Sequence, residues 1–235
     1  MTFQSRLEFC RDIAEGLYAL HLCGVVHGDV KPENILVFPR EGKRDAFMVK
    51  LTDFGHSVLE QDGLDALPAF TPLWCAPEAM QRASMTFQDM VATDCYSYGF
   101  VVLSILIGRA FHIAFDDVEG IKSNGSILER AVALVEREDR ESNDSDLELD
   151  VVELLLRKTL RLNPKSRNLR HCMSIINRYV FPQPNPRRIA TAADVAACLI
   201  LDMQGGTKQR PLGGSTDSRT RKHHCRIWTS RERYP

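Results

Sequence analysis

Positions 27 to 36 read His27-Gly28-Asp29-Val30-Lys31-Pro32-Glu33-Asn34-Ile35-Leu36, and an Asp53-Phe54-Gly55 group follows. An aspartate, a lysine and an asparagine within six positions, with a second aspartate close behind, are residue types that accept protons, offset negative charge and lend oxygen to a hard cation. The same types also cap loops and form turns, so type alone does not separate the two roles. Three further compact groups come later in the chain: Ala76-Pro77-Glu78, Asp94-Cys95-Tyr96-Ser97-Tyr98-Gly99 and Asn163-Pro164-Lys165-Ser166-Arg167.

These residues need elements to hold them. From Leu7 the apolar residues Leu7, Cys10, Ile13, Ala14, Leu17 and Leu20 recur at helical spacing behind a capping box of Ser5 and Glu8, which predicts a first helix ending near Gly24. The runs from Ile35 to Phe38 and from Phe47 to Leu51 are β-like, and the polar stretch between them suits a hairpin loop. From Phe54 to Trp74 no period persists, which predicts a long irregular segment of the kind that is usually functional or disordered. Tyr96 to Ile107 is apolar on nearly every side, as a central buried helix is. A helix is expected from about Ile127 to Val135, with Glu136 to Asp146 as a solvated loop, then helices from Asp150 to Leu162 and from Leu169 to Tyr179.

The 235 residues are 44% hydrophobic and 26% charged, enough for one cored domain with material left for a tail. A formal net charge of -1 gives no reason to expect a nucleic-acid or acidic-membrane partner. The longest apolar run, Phe100 to Ile107, is far short of the ~20 residues that span a bilayer, so a soluble chain is expected. Seven scattered cysteines without a Cys-x-x-Cys pair argue against a disulfide framework or zinc site and favour an intracellular location, cytoplasmic or nuclear.

The stretch from His27 to Leu36 closely resembles the catalytic loop of protein kinases, and an accidental match of its His, Asp, Lys, Pro and Asn has odds on the order of 1 in 10,000. Asp53-Phe54-Gly55 resembles the magnesium-binding turn of that family, and Ala76-Pro77-Glu78 the close of its activation segment. The group from Asp94 resembles the start of its central helix, and the group ending in Arg167 the motif whose arginine pairs with the closing glutamate. The resemblance covers about residues 3 to 180 and implies an α+β, protein-kinase-like fold. Its mainly α-helical large, C-terminal lobe would carry a small β-hairpin with the catalytic and magnesium loops. The expected division is a partial kinase domain over 1–182 and a flexible basic tail over 183–235.

By the same resemblance, Asp29 is the catalytic base, Lys31 steadies the transferring phosphate of ATP, and Asn34 and Asp53 hold Mg. Leu36 forms the floor under adenine. His27 and Phe54 stack as packing residues, Asp94 bonds the catalytic loop from below, and Glu78 pairs with Arg167. Lys31 and Thr71 resemble the serine/threonine branch, in which both reach the catalytic aspartate; the partner implied is a protein substrate offering a Ser or Thr hydroxyl. Position 28 departs from the pattern, being glycine where many kinases carry an arginine that clamps a phosphate. No Ser, Thr or Tyr lies between Ser57 and Thr71 to receive one. The family also places a Gly-rich loop, a strand lysine and a helix glutamate before the first helix seen here. The N-terminal lobe is therefore expected to be missing from these residues, which alone should transfer phosphate negligibly. The competing expectation is a kinase-like interaction module without catalysis.

Overall fold

The computed structural model describes residues 1–40, 42, 46–62, 71–108, 118–141 and 149–180. The expected tail beyond 182 and most of the Pro39 to Asp45 loop lie outside these residues. Helix α1 spans Phe3–Leu22 and buries the predicted stripe Leu7, Cys10, Ile13, Ala14, Leu17 and Leu20. Its cap is Thr2, whose side chain accepts from the Ser5 backbone N–H, so the helix starts a few residues earlier than the Ser5–Glu8 box implied. After Cys23 the chain leaves the helix through Gly24, whose φ of +70° favours glycine.

Strands β1 (Val25–Val26) and β4 (Val58–Leu59) pair antiparallel, as do β2 (Ile35–Pro39) and β3 (Phe47–Leu51). The second pair is the predicted hairpin, and it packs Ile35, Val37, Val49 and Leu51 against the core. Gly16 of α1 lets the hairpin approach, since a Cβ there would stand 3.3 Å from Leu51 Cδ1. The β1–β4 pair was not anticipated: two-residue strands carry no readable period.

Helix α2 runs Phe87–Ile107, capped by Thr86, whose side chain accepts from the Asp89 N–H at 3.2 Å. It begins nine residues before the predicted Tyr96 start and ends at Gly108. Its length and composition would also suit a membrane span, but 83% of its most apolar window is buried inside the fold. Tyr96, Tyr98, Phe100, Val101, Val102 and Leu103 are fully enclosed, and the Tyr98 hydroxyl donates to the Cys10 carbonyl of α1 at 3.0 Å. Each large apolar side chain so enclosed contributes about 1.5–3 kcal/mol.

Around α2 stand α3 (Val118–Ser123), α4 (Ile127–Glu141), α5 (Leu149–Thr159) and α6 (Leu169–Val180). Helix α5 packs on α2, and α6 on α1 and α5. Two corrections to the expected elements follow. Glu136 to Glu141 continue α4 rather than starting a loop, because they extend a helix already anchored by Ile127, Leu128, Ala131, Leu134 and Val135. Helix α3 was not anticipated.

Helix α2 lies close against α5 at Gly99, where a Cβ would stand 2.3 Å from Thr159 Oγ1 and 2.7 Å from Thr159 Cβ. Thr159 cannot swing away freely, since its hydroxyl donates to the Leu155 carbonyl at 3.0 Å. Gly99→Ala is therefore expected to destabilise by about 1–3 kcal/mol through overpacking, read as an earlier urea midpoint with an unchanged m-value. An unchanged midpoint would contradict this packing.

Candidate active site

The residues from His27 to Asn34 form a loop between β1 and β2 that closes in a 3-10 turn over Pro32–Asn34. The loop leans on α2. Asp94, 1% exposed, accepts from the His27 N–H at Oδ2 (2.8 Å) and from the Gly28 N–H at Oδ1 (3.0 Å), while His21 Nε2 lies 2.9 Å from Oδ2. His27 is fully buried; its Nε2–H donates to the Thr52 carbonyl at 3.1 Å, and its Nδ1 accepts from the Asp29 N–H at 3.3 Å, which fixes the tautomer. Its ring centroid stands 5.3 Å from that of Phe54, whose other side is open, so that Phe54 is 46% exposed.

Asp29 is where the loop converges. Its Oδ1 accepts from the Thr71 hydroxyl at 2.9 Å; its Oδ2 lies 2.5 Å from Lys31 Nζ and accepts from Asn34 Nδ2 at 3.1 Å. Burial alone would raise the Asp29 pKa, but the bonds from Lys31 and Thr71, the Lys31 charge and the Asn34 amide outweigh it and hold the carboxyl below its ordinary value. The group is thus kept ionised and buried among three donors that leave little freedom of direction.

Asn34 is buried and spends Nδ2 on the carboxylate and carbonyl of Asp29 (3.1 and 2.8 Å), which turns its Oδ1 toward acceptance from elsewhere. Asp53 is exposed, with φ +64°, a left-handed conformation that aspartate tolerates better than most residues. Its Oδ1 receives the Gly55 N–H at 3.3 Å. A carboxamide oxygen and an open carboxylate are hard oxygen donors that fit magnesium, an ion that usually keeps several waters or phosphate oxygens besides. Leu36 sits on β2, 40% exposed on the hairpin face turned away from the core.

Gly28 has φ +81°, and a Cβ on it would stand 2.3 Å from the His56 carbonyl oxygen. Ser57 Oγ then donates to the His27 carbonyl at 3.1 Å, so the chain following the Asp53 turn closes directly over the loop. Glu78 and Arg167 meet in a two-pronged ion pair: Arg167 Nη1 reaches Oε1 and Nη2 reaches Oε2 at 3.0 Å. Arg167 further donates to the Arg161 carbonyl at 2.9 Å and the Ala92 carbonyl at 3.0 Å, tying the turn before α6 to α2.

The structure thus brings His27, Asp29, Lys31, Asn34, Thr71 and Asp94 into one bonded cluster, sets Asp53 and Phe54 beside it, and keeps the Glu78–Arg167 pair apart as a brace. Sequence reasoning missed His21, Ser57 and Lys122. No motif marks the first two, and Lys122 reads in the sequence as an ordinary surface charge. Residues 63–70 of the irregular segment lie outside the described residues.

Residues 2–178 match the protein kinase domain family. Similar chains include serine/threonine-protein kinase GIN4 of Saccharomyces cerevisiae, 28% identical over 68% of this chain and 13% of that protein. Serine/threonine-protein kinase PkaA of Streptomyces coelicolor is 30% identical over 81% of this chain and 33% of its own length. A calcium/calmodulin-dependent protein kinase kinase of Caenorhabditis elegans is 37% identical over 43% and 18%. The chain spans a third or less of the length of these curated relatives. With the family match covering the loop, the Asp53 turn and the helices beneath them, the chain belongs to the protein kinase family.

Proposed function

We propose that this chain supplies the catalytic loop of a serine/threonine protein kinase, which moves the γ-phosphoryl group of ATP onto a serine or threonine hydroxyl of a protein substrate. The observation that carries the reading is the set of three donors around Asp29. A hydroxyl entering beside Asp29 donates its hydrogen to a carboxylate already held ionised, and the carboxylate orients it and takes its proton as the new bond forms. Thr71 and Asn34 fix the direction of that carboxylate. Lys31, bound to Asp29 by one N–H, has two more to offer the phosphoryl oxygens.

Asn34 and Asp53 are the residues that would hold magnesium, and Leu36 the one that would lie under the adenine. Magnesium, when bound, supplies charge neutralisation across the phosphoryl oxygens. The serine/threonine preference is supported by Lys31 and Thr71 together contacting one carboxylate, and by the names of the relatives. Retention of the full donor set favours catalysis over a purely interacting module. An intracellular setting, cytoplasmic or nuclear, accords with free cysteines at 10, 23, 75, 95 and 172.

Asp29→Asn in the full-length protein is expected to lower phosphotransfer to a Ser- or Thr-containing protein by about a hundredfold or more while leaving MgATP affinity near wild type. Equal turnover by the two proteins, or label found on tyrosine alone, would refute the reading. Because the folded pKa of Asp29 is depressed, its contribution to stability is complete above the unfolded value of about 4 and is lost as pH falls through the lower folded value. Its carboxyl carbon resonance, identified by its loss in Asp29→Asn, should titrate with a midpoint below about 3.9, and a midpoint above about 5 would contradict the donor arrangement.

A further inference from the structure

Lys122 lies on α3 with no exposed surface. Its Nζ donates to the carbonyls of Pro72 (2.7 Å), Leu73 (2.9 Å) and Cys75 (2.6 Å), which uses every N–H the ammonium has. The ring centroids of Phe100 and Tyr96 on α2 stand 4.8 and 5.7 Å from the same nitrogen. A fully enclosed lysine is rare, and its charge is tolerated only where dipoles or opposite charges replace water. Here convergent backbone carbonyls and ring faces do so, and among the described residues no carboxylate is within ion-pair distance of it.

The contacted segment is not an arbitrary piece of chain. It continues from Thr71, whose hydroxyl meets Asp29 and whose carbonyl accepts the N–H groups of Trp74 and Cys75, both at 2.9 Å. Its N–H groups are thus held by Thr71 and its carbonyls by Lys122. Three carbonyl oxygens aimed at one point repel each other unless a cation sits there. Without the ammonium the segment would relax, and Thr71 with it.

We propose that Lys122 is a positioning residue for the protein substrate: it fixes residues 71–75 beside Asp29 in the shape that receives the peptide around the acceptor hydroxyl. This rests on the kinase reading above. The carbonyls it occupies are withheld from the peptide, so loss of Lys122 changes how the peptide is received more than how nucleotide is bound. Burial lowers the Lys122 pKa to about 8 against the opposing influence of Cys75, Glu119 and Glu78, and the side chain remains an ammonium at neutral pH.

The test compares full-length wild type, K122M, K122Q and D29N by peptide KM, ATP KM, kcat and hydrogen exchange over residues 71–80. K122M is expected to raise the peptide KM about tenfold or more, to leave the ATP KM within about twofold, and to speed exchange over 71–80 while α2 stays protected. K122Q keeps two donors and should recover part of both losses; should K122M fail to fold, a rise of about threefold in the K122Q peptide KM carries the test. A wild-type peptide KM with wild-type exchange, or a fall in kcat alone, overturns the proposal. Wild-type turnover no greater than that of D29N overturns the kinase reading instead, and the exchange measurement still decides whether Lys122 holds the segment.

Discussion

One buried carboxylate ties the chemistry of this molecule to its core. Asp94 faces the start of the catalytic loop from α2 and accepts two successive backbone N–H groups, with the ring of His21 on its flank. The two N–H groups bond different oxygens, a placement that a carboxylate meets with both atoms and that an amide, with its nitrogen at one of the two positions, would meet with one. With the N–H groups of His27 and Gly28 pinned, the ring of His27 is directed at Thr52 and Asp29, and the position of the Asp29 carboxylate follows. The charge is buried, but two N–H donors and an imidazole replace its lost hydration.

Gly28 shows how tightly that anchoring constrains the neighbouring chain. Its positive φ lets both N–H groups point at one carboxylate, and its missing side chain leaves room for the His56 carbonyl. Ser57 then bonds the loop from the opposite side to Asp94. Where many kinases place an arginine for a phosphate, this chain places backbone against backbone. The closure of the Asp53 turn over the loop is built from the Gly28–His56 approach and the Ser57–His27 hydrogen bond.

Much of this was legible because it is local. Asp29, Lys31 and Asn34 stand within six positions of each other, the hairpin alternates between a core face and an open face, and α1 has a clean helical stripe from Leu7 to Leu20. What escaped depends on distance. Helix α2 begins before its period can be seen because polar Thr93, Asp94 and Ser97 are buried along with its apolar residues, and burial of polar side chains erases amphipathic spacing. Lys122 has no signature, since its partners are carbonyls nearly fifty positions away. The β1–β4 pair joins residues more than thirty apart through only two residues on each side. Glu136 to Glu141 look like a loop by charge, yet they prolong an anchored helix.

The dependence of the site on Asp94 is open to direct measurement through Asp94→Asn in the full-length protein. The amide can accept on one atom only, so one N–H, of His27 or Gly28, would face a donor and lose its partner, at a cost of about 1–3 kcal/mol. Label transfer from γ-labelled ATP to a Ser/Thr substrate, measured together with hydrogen exchange over residues 26–30, tests the point. Faster exchange in that loop, with phosphotransfer reduced at least about tenfold and the rest of α2 still protected, is the predicted result. Wild-type phosphotransfer with wild-type protection of the loop would show that the catalytic geometry does not hang on this carboxylate.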